Sequence, residues 1–360
     1  MEVLDCLKNI NSFVEAKSIL KEKGLKIKEN QNDNLYLVKY DKTKCNMLDK
    51  DVCNCRGIIV DKSNNTLVCF PPNKSMDLDQ FLDKHLWENI IVEEFIDGTM
   101  INLCYYNDEW IVSTRSSIGA NSKWFSNKTF QELFNESHKL DYTTLDKNYF
   151  YTFVLTHPEN IIVKKYEEPN IVLVSAGHVE NGVYKNISLS ELPDSFNKPR
   201  IYYFKSIQEL NASINTNFEF QGYILKIKDS NDRSKVRNPN YNYAKQLKGN
   251  TSNMKYLYYD LFKNNMLHEY LSFFPEHTDI FETFKREFIH LTTETLSYYN
   301  KYHIKKNITN IKDIPYRLRP LCYEIHGLYL KNKVYINYEA VYNYVLNLPN
   351  PRIIFSCSFE

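Results

Sequence analysis

Apolar and polar side chains alternate in a series of short runs, Leu35-Tyr36-Leu37-Val38 first, then residues 57–61, 66–70, 90–95, 100–106 and 109–114. Further runs at 149–155, 171–176 and 222–228 read the same way, as half-buried or buried strands. Lys62-Ser63-Asn64-Asn65 supplies the turn between the second and third runs, and Asn107-Asp108 joins another pair. A helix is predicted over residues 12–23, stopped by Gly24, and a second over 129–137. Glu93-Glu94-Phe95-Ile96-Asp97-Gly98 lies where a strand enters an Asp-Gly turn and leaves again, the usual hairpin arrangement. Many short antiparallel strands with few helices predict an α+β domain built on packed sheets.

Beyond residue 250 the period changes. Met254, Leu257, Tyr258, Leu261 and Phe262 repeat as one helix face, and Phe281, Phe284, Phe288 and Leu291 continue it. The expected organisation is therefore an α+β domain over 1–250 and an all-α carboxy-terminal domain over 251–360. The aromatic stripes read as packing between helices. Residues 305–313 are expected to form a loop, and Pro349 and Pro351 a final turn.

With 360 residues, 43% hydrophobic and 25% charged, the chain is long enough for two cores. Its formal charge of +1 excludes a global field toward polyanions, so any nucleic-acid site must come from local clustering. Residues 1–13 carry Glu2 and Asp5 and lack an apolar signal segment, and no uncharged run of about 18 residues occurs. A soluble, unexported, cytoplasmic protein without a membrane partner is expected. The eight cysteines then stay reduced. Cys45, Cys53, Cys55 and Cys69 could close a zinc site, but Cys53-x-Cys55 is not the usual knuckle spacing, and buried strand cysteines are the preferred reading. Abundant Asn, Lys, Ile and Tyr suggest an AT-rich genome, such as that of a large DNA virus or a parasite.

Six blocks occur in order: Cys55-Arg56-Gly57-Ile58-Ile59, the hexad at 93–98, Ser113-Thr114-Arg115-Ser116-Ser117-Ile118-Gly119, Tyr151-Thr152-Phe153, Gln221-Gly222-Tyr223-Ile224-Leu225 and Lys235-Val236-Arg237. In this order they resemble the ATP-dependent RNA ligases of phage and large-virus type, within the covalent nucleotidyltransferase superfamily. The similarity spans residues 35 to 250. It implies a nucleotidyltransferase (adenylation) domain of antiparallel sheets with flanking helices, ATP and Mg²⁺ as cofactors, and single-stranded RNA ends as partners. It places Arg56, Lys74, Phe153, Lys235 and Arg237 on the nucleotide and Arg115 on RNA. His157, beside Pro158, reads as structural.

The departures from that pattern fall where the chemistry is. Phe95 stands at the position of the lysine that becomes adenylated, while Asp97 and Gly98 keep the motif's turn. Gln221 replaces the metal-binding glutamate, and a neutral amide is a poor Mg²⁺ ligand. Thr152 replaces an acidic group. These losses imply a degenerate ligase that binds nucleotide or RNA ends without self-adenylation. The alternatives are an active ligase using Lys74 or Lys235, or pre-adenylated ends, and an interaction module whose carboxy-terminal helices contact a protein. Independently, Lys226, Lys228, Arg233, Lys235, Arg237, Lys245 and Lys248, interleaved with Tyr241 and Tyr243, form a basic stretch suited to single-stranded RNA, with Lys226, Lys228 and Lys245 as contacts.

Overall fold

Side-chain alternation is realised as three antiparallel sheets in the first of two compact units, Met1–Tyr243; the second is Ala244–Glu360. The computed structural model describes the chain apart from residues 1–4, 8, 11, 31–33, 125, 181–182, 229, 334 and 359–360, so the acidic Glu2 lies outside the described residues. No helix among the described residues is long and apolar enough to cross a membrane.

The first sheet orders β1 (Lys26–Glu29), β2 (Leu35–Lys39), β3 (Arg56–Asp61) and β4 (Leu67–Cys69) as a meander. Tyr36, Val38, Ile58 and Val60 project to one face and pack with Ala16 and Leu20 of α1 (Phe13–Glu22), whose first turn is capped by Ser12. Leu35 and Ile59 project to the other face and join Cys104 of the second sheet. A short helix, α2 (Lys50–Asn54), capped by Asp49, precedes β3.

Next come α3 (Leu78–Lys84) and β5 (Ile90–Glu94), then β6 (Thr99–Tyr106), β7 (Glu109–Thr114) and β8 (Ser117–Ile118). After α4 (Phe130–Glu136) follow β9 (Phe150–Thr156), β10 (Asn170–Glu180), β11 (Val183–Ile187) and β12 (Ile201–Tyr202). The unit closes with α5 (Ile207–Ser213), β13 (Gly222–Ile227) and β14 (Arg233–Arg237), and α6 (Pro239–Lys248) runs across the division between the units. The second sheet is six-stranded, β11-β10-β9-β6-β7-β8, and the third four-stranded, β12-β5-β13-β14. The hexad is therefore not a hairpin. Its flanking strands β5 and β6 belong to different sheets, and residues 95–98 carry the chain from one to the other.

Asp97 ties that crossing. Its Oδ2 accepts the N–H groups of Val163 and Lys164, both at 2.9 Å, and its Oδ1 accepts the Tyr241 hydroxyl at 2.7 Å. Asp97 is 3% exposed, and burial together with its charge keeps the Tyr241 phenol protonated. Gly98 is needed for space rather than for a turn: a Cβ there would lie 2.3 Å from the Leu155 carbonyl oxygen and 2.7 Å from Val154 Cγ1.

Several smaller expectations are corrected. Cys55 and Cys69 are buried at β3 and in β4, but Cys45 lies in a turn and Cys53 in α2, both half-buried, and all eight thiols are free. Pro349 and Pro351 open a last helix, because proline fits a helix's first positions, where no N–H is required. Within residues 305–313 the loop tightens into a turn of 3-10 helix at Ile311–Asp313.

The second unit is helical: α7 (Met254–Lys263), α8 (Leu267–Phe273), α9 (Thr278–Tyr299), α10 (Arg319–Asn332), α11 (Tyr338–Leu346) and α12 (Asn350–Cys357). Tyr258 meets Phe281 and Phe284 with ring centroids 5.4 and 5.8 Å apart, and Phe288 meets Tyr342 at 5.2 Å, so the aromatic stripes are core packing.

Removing a buried charge acceptor leaves its donors without partners. Asp97→Ala is expected to cost about 3 kcal/mol and Tyr241→Phe about 1 kcal/mol in urea unfolding. Equal effects, or none for Asp97→Ala, would contradict its role as the tie.

Candidate functional site

Period-two alternation sorts the third sheet into two faces. Val92, Tyr223, Leu225 and Val236 point to one side and form a core with Phe81 of α3 and Leu210 of α5. Register places Glu93, Ile224 and Lys235 in one row on the opposite side, with Lys226 opposite Ile91 and Arg237 opposite Gly222. Phe95, just past β5, continues that face and donates its N–H to the Gly222 carbonyl at 2.9 Å. Gly222 adopts a φ of 123°, and a Cβ there would sit 2.1 Å from the Val236 carbonyl oxygen.

Cations collect on this face. The Arg237 guanidinium lies 5.6 Å from the centroid of the Phe95 ring, and its Nη1 donates to Asn242 Oδ1 at 3.4 Å. Arg56 joins from β3, its Nη1 reaching the Pro72 carbonyl at 3.3 Å and Met100 Sδ at 3.4 Å. Arg233 grips the Asn73 carbonyl through Nε and Nη2 at 3.1 and 2.7 Å. These bonds go to neutral oxygen or sulfur. Burial, then Arg56, pushes Arg233 down to about 9. Burial, then Arg237, Lys42, Arg233 and Arg56, pushes the Lys235 amine down to about 8. As a residue Lys235 is exposed, standing among these cations. A set of cations that lower one another's affinity for protons is a set that gains from an anion.

Five nearby polar atoms add to this. Asn73 Oδ1, Asn102 Nδ2, Ser113 Oγ, Gln221 Oε1 and Arg237 Nε are buried without a hydrogen-bond partner among the described residues.

The structure brings Phe95, Arg56, Lys235 and Arg237 together and separates other expected residues from them. Phe153 is 1% exposed and lies in the core beside Phe134 and Phe196, on the face of the second sheet opposite Thr152 and Asn102. Lys226 is committed to Glu93 at 2.5 Å and to the Val174 carbonyl at 2.6 Å, and Tyr241 to Asp97, so neither is open to RNA. Lys228 and Tyr243 are exposed, and Lys245 is half-buried beyond the division between the units. Lys74 is half-buried, its backbone N–H held by the Cys53 carbonyl. Arg115 lies over the Tyr40 ring, 4.6 Å from its centroid. Arg233, which the sequence marks only as one member of a basic stretch, joins the site. Its signal is the Arg-Ser-Lys-Val-Arg alternation, which puts all three cations of β14 on one face.

The donor set does not fit Mg²⁺. Glu93 is paired with Lys226, Asp97 is saturated by its three donors, and Gln221 offers a neutral oxygen. The grouping of Glu136, His157 and Glu159 fares no better, because the Lys128 ammonium lies 2.8 Å from both carboxylates. His157 Nδ1 accepts the Glu159 N–H there, a structural contact.

No family model matches the sequence. A proposed bifunctional polynucleotide kinase/RNA ligase of Autographa californica nuclear polyhedrosis virus is 28% identical over 251 residues, covering 63% of this chain and 35% of that protein. The RNA ligase of Rhodothermus phage RM378 is 36% identical over 100 residues, 24% of this chain and 23% of its own length. The chain thus spans about a third or less of these relatives. An archaeal ATP-dependent RNA ligase overlays with a TM-score of 0.47 and 13% identity, over 75% of this chain and 70% of that one. That overlay is loose, and the relationship rests on the sequence matches.

Lys235 gives a pH signature. Its lowered folded-state value means that the charged amine destabilises the fold fully below about pH 8, a penalty that fades as pH rises toward the ordinary lysine range. NMR titration of the lysine side chains should show one midpoint near 8 that moves up with inorganic pyrophosphate. A midpoint at the ordinary value would remove the crowding argument.

Proposed function

We propose, starting from the chain's relationship to ATP-dependent RNA ligases, that it holds the phosphates of a nucleotide or RNA end on this cationic face without forming a lysyl adduct. The observation that carries the reading is Phe95 under the Arg237 guanidinium. The ring sits at the motif's nucleophile position and has no lone pair with which to attack phosphorus. Loss of a nucleophile and of a metal's charge stabilisation each removes several kcal/mol, and every 1.4 kcal/mol is worth about tenfold in rate, so adenylation falls to background. Arg56, Arg233, Lys235 and Arg237 remain for binding, since attraction between cations and phosphate does not depend on the lost step.

A second reading is favoured by one feature, the Lys235 amine at about 8. At pH 7 about a tenth of such an amine is unprotonated, far more than for an ordinary lysine, and the neutral form is what a nucleophilic lysine needs. In that case the neutral nitrogen attacks the α-phosphorus of ATP, the N–P bond forms as the bond to pyrophosphate breaks, and the nitrogen then loses one proton to water.

Incubating the protein with α-labelled ATP and Mg²⁺ or Mn²⁺ decides between them. The expected result is no acid-labile adduct, while ADP and 5′-phosphorylated RNA bind and weaken about tenfold or more on Arg237→Gln. An adduct abolished by Lys235→Met would establish the second reading. One that survives Lys235→Met would overturn both. Joining of a 5′-adenylated donor to a 3′-hydroxyl acceptor would show that sealing persists without the first step.

A further inference from the structure

Away from the Phe95 face, β1, β2 and the turn after β7 enclose a shallow depression lined by Lys26, Lys39, Tyr40, Asp41, Lys42, Arg115 and Ser116. Basic and acidic residues number 45 and 44 in the whole chain, so four cations around one carboxylate is a local concentration. That carboxylate, Asp41, is taken by Lys26 at 2.8 Å. Lys39 has the Ser116 hydroxyl at 2.8 Å, and Lys42 is exposed with no ion pair among the described residues. Arg115 is preorganised by the Tyr40 ring and by the Tyr40 carbonyl, which its Nη2 reaches at 3.2 Å.

The depression is electrostatically continuous with the cationic face. Arg115 acts on Arg56, and Lys42 acts on Lys235, in each case disfavouring the partner's proton. Gly57 permits the junction: a Cβ there would lie 2.8 Å from the Arg115 Cα, so the residue beside Arg56 must be bare for the two segments to meet.

We propose that this depression is a second phosphate-binding station, which takes the backbone of a single RNA strand whose end occupies the Phe95 face. The proposal rests on the function proposed above for that face, and it adds a strand path to it. Each phosphate neutralised by a lysine or arginine there releases counterions and adds to the salt dependence of binding.

The test compares ligands of two lengths on the full chain by fluorescence anisotropy: ADP in competition, and a 5′-phosphorylated single-stranded RNA of about 15 nucleotides, within the site sizes of strand-binding folds. The double variant Lys26→Gln/Lys39→Gln should weaken the long RNA about tenfold and lower the slope of log affinity against log salt by about 1.4, two contacts' worth for a single strand. ADP affinity should not change. Lys42→Gln, at an exposed residue, should weaken the long RNA in the same direction with an unchanged melting curve. Unaltered long-RNA binding in both variants would overturn the strand path and leave the nucleotide reading standing. Long-RNA binding that falls with these variants in a protein that never binds ADP would keep the depression as a strand site and overturn the reading of the Phe95 face.

Discussion

A single carboxylate holds the joint on which the first unit is organised. Asp97 receives two backbone N–H groups from beyond β9 and a phenol from α6, at the point where the chain leaves one sheet for another. A buried charge of this kind is costly unless its lone pairs are engaged, and here the engagement ties the crossing between two sheets to the segment after β9 and to Tyr241. Gly98 completes the joint by letting the backbone pass against Leu155. Neither residue needs a reactive side chain at position 95. The Asp-Gly pair is accounted for by architecture alone, and its presence is no argument for catalysis.

What the joint positions is a concentration of positive charge in a chain that is nearly neutral overall. Arg233 and Arg56 are anchored on carbonyl oxygens, and Arg237 leans on an aromatic ring. None of these supports neutralises charge. Burial, and then the crowding of cations, lowers the proton affinities of Lys235 and Arg233, a cost that a bound phosphate would offset.

Much of this is legible in the sequence, because alternation is a direct consequence of strand geometry. The strands around Val38, Ile59, Leu103, Val112 and Leu225 fall where apolar periodicity puts them. What alternation cannot report is which sheet a strand joins. The hexad carries the same local pattern whether its flanking strands pair with each other or part, so from sequence the crossing is indistinguishable from a hairpin. Phe153 illustrates a related limit: period two says that it shares a face with Tyr151 and not with Thr152, but not which face looks toward Arg56. Tyr241, by its place among lysines, reads as part of a stretch suited to single-stranded RNA. Its burial against Asp97, 144 residues away in sequence, is a long-range contact with no local signal. Short helices such as α2 and α3, and strands β1 and β14, are too brief or too polar for apolar periodicity to register.

The Arg115–Tyr40 pair has an implication for what a bound strand would experience. Tyr40 is 4% exposed, and its ring is already covered by the guanidinium, so that corner presents no free aromatic plane. A nucleobase passing there meets at most the outer plane of the Arg115 guanidinium, which stacks on any base alike, so the charge along the backbone is what is felt. Whatever selectivity this surface possesses would then reside in termini and chain length, and be indifferent to the order of bases.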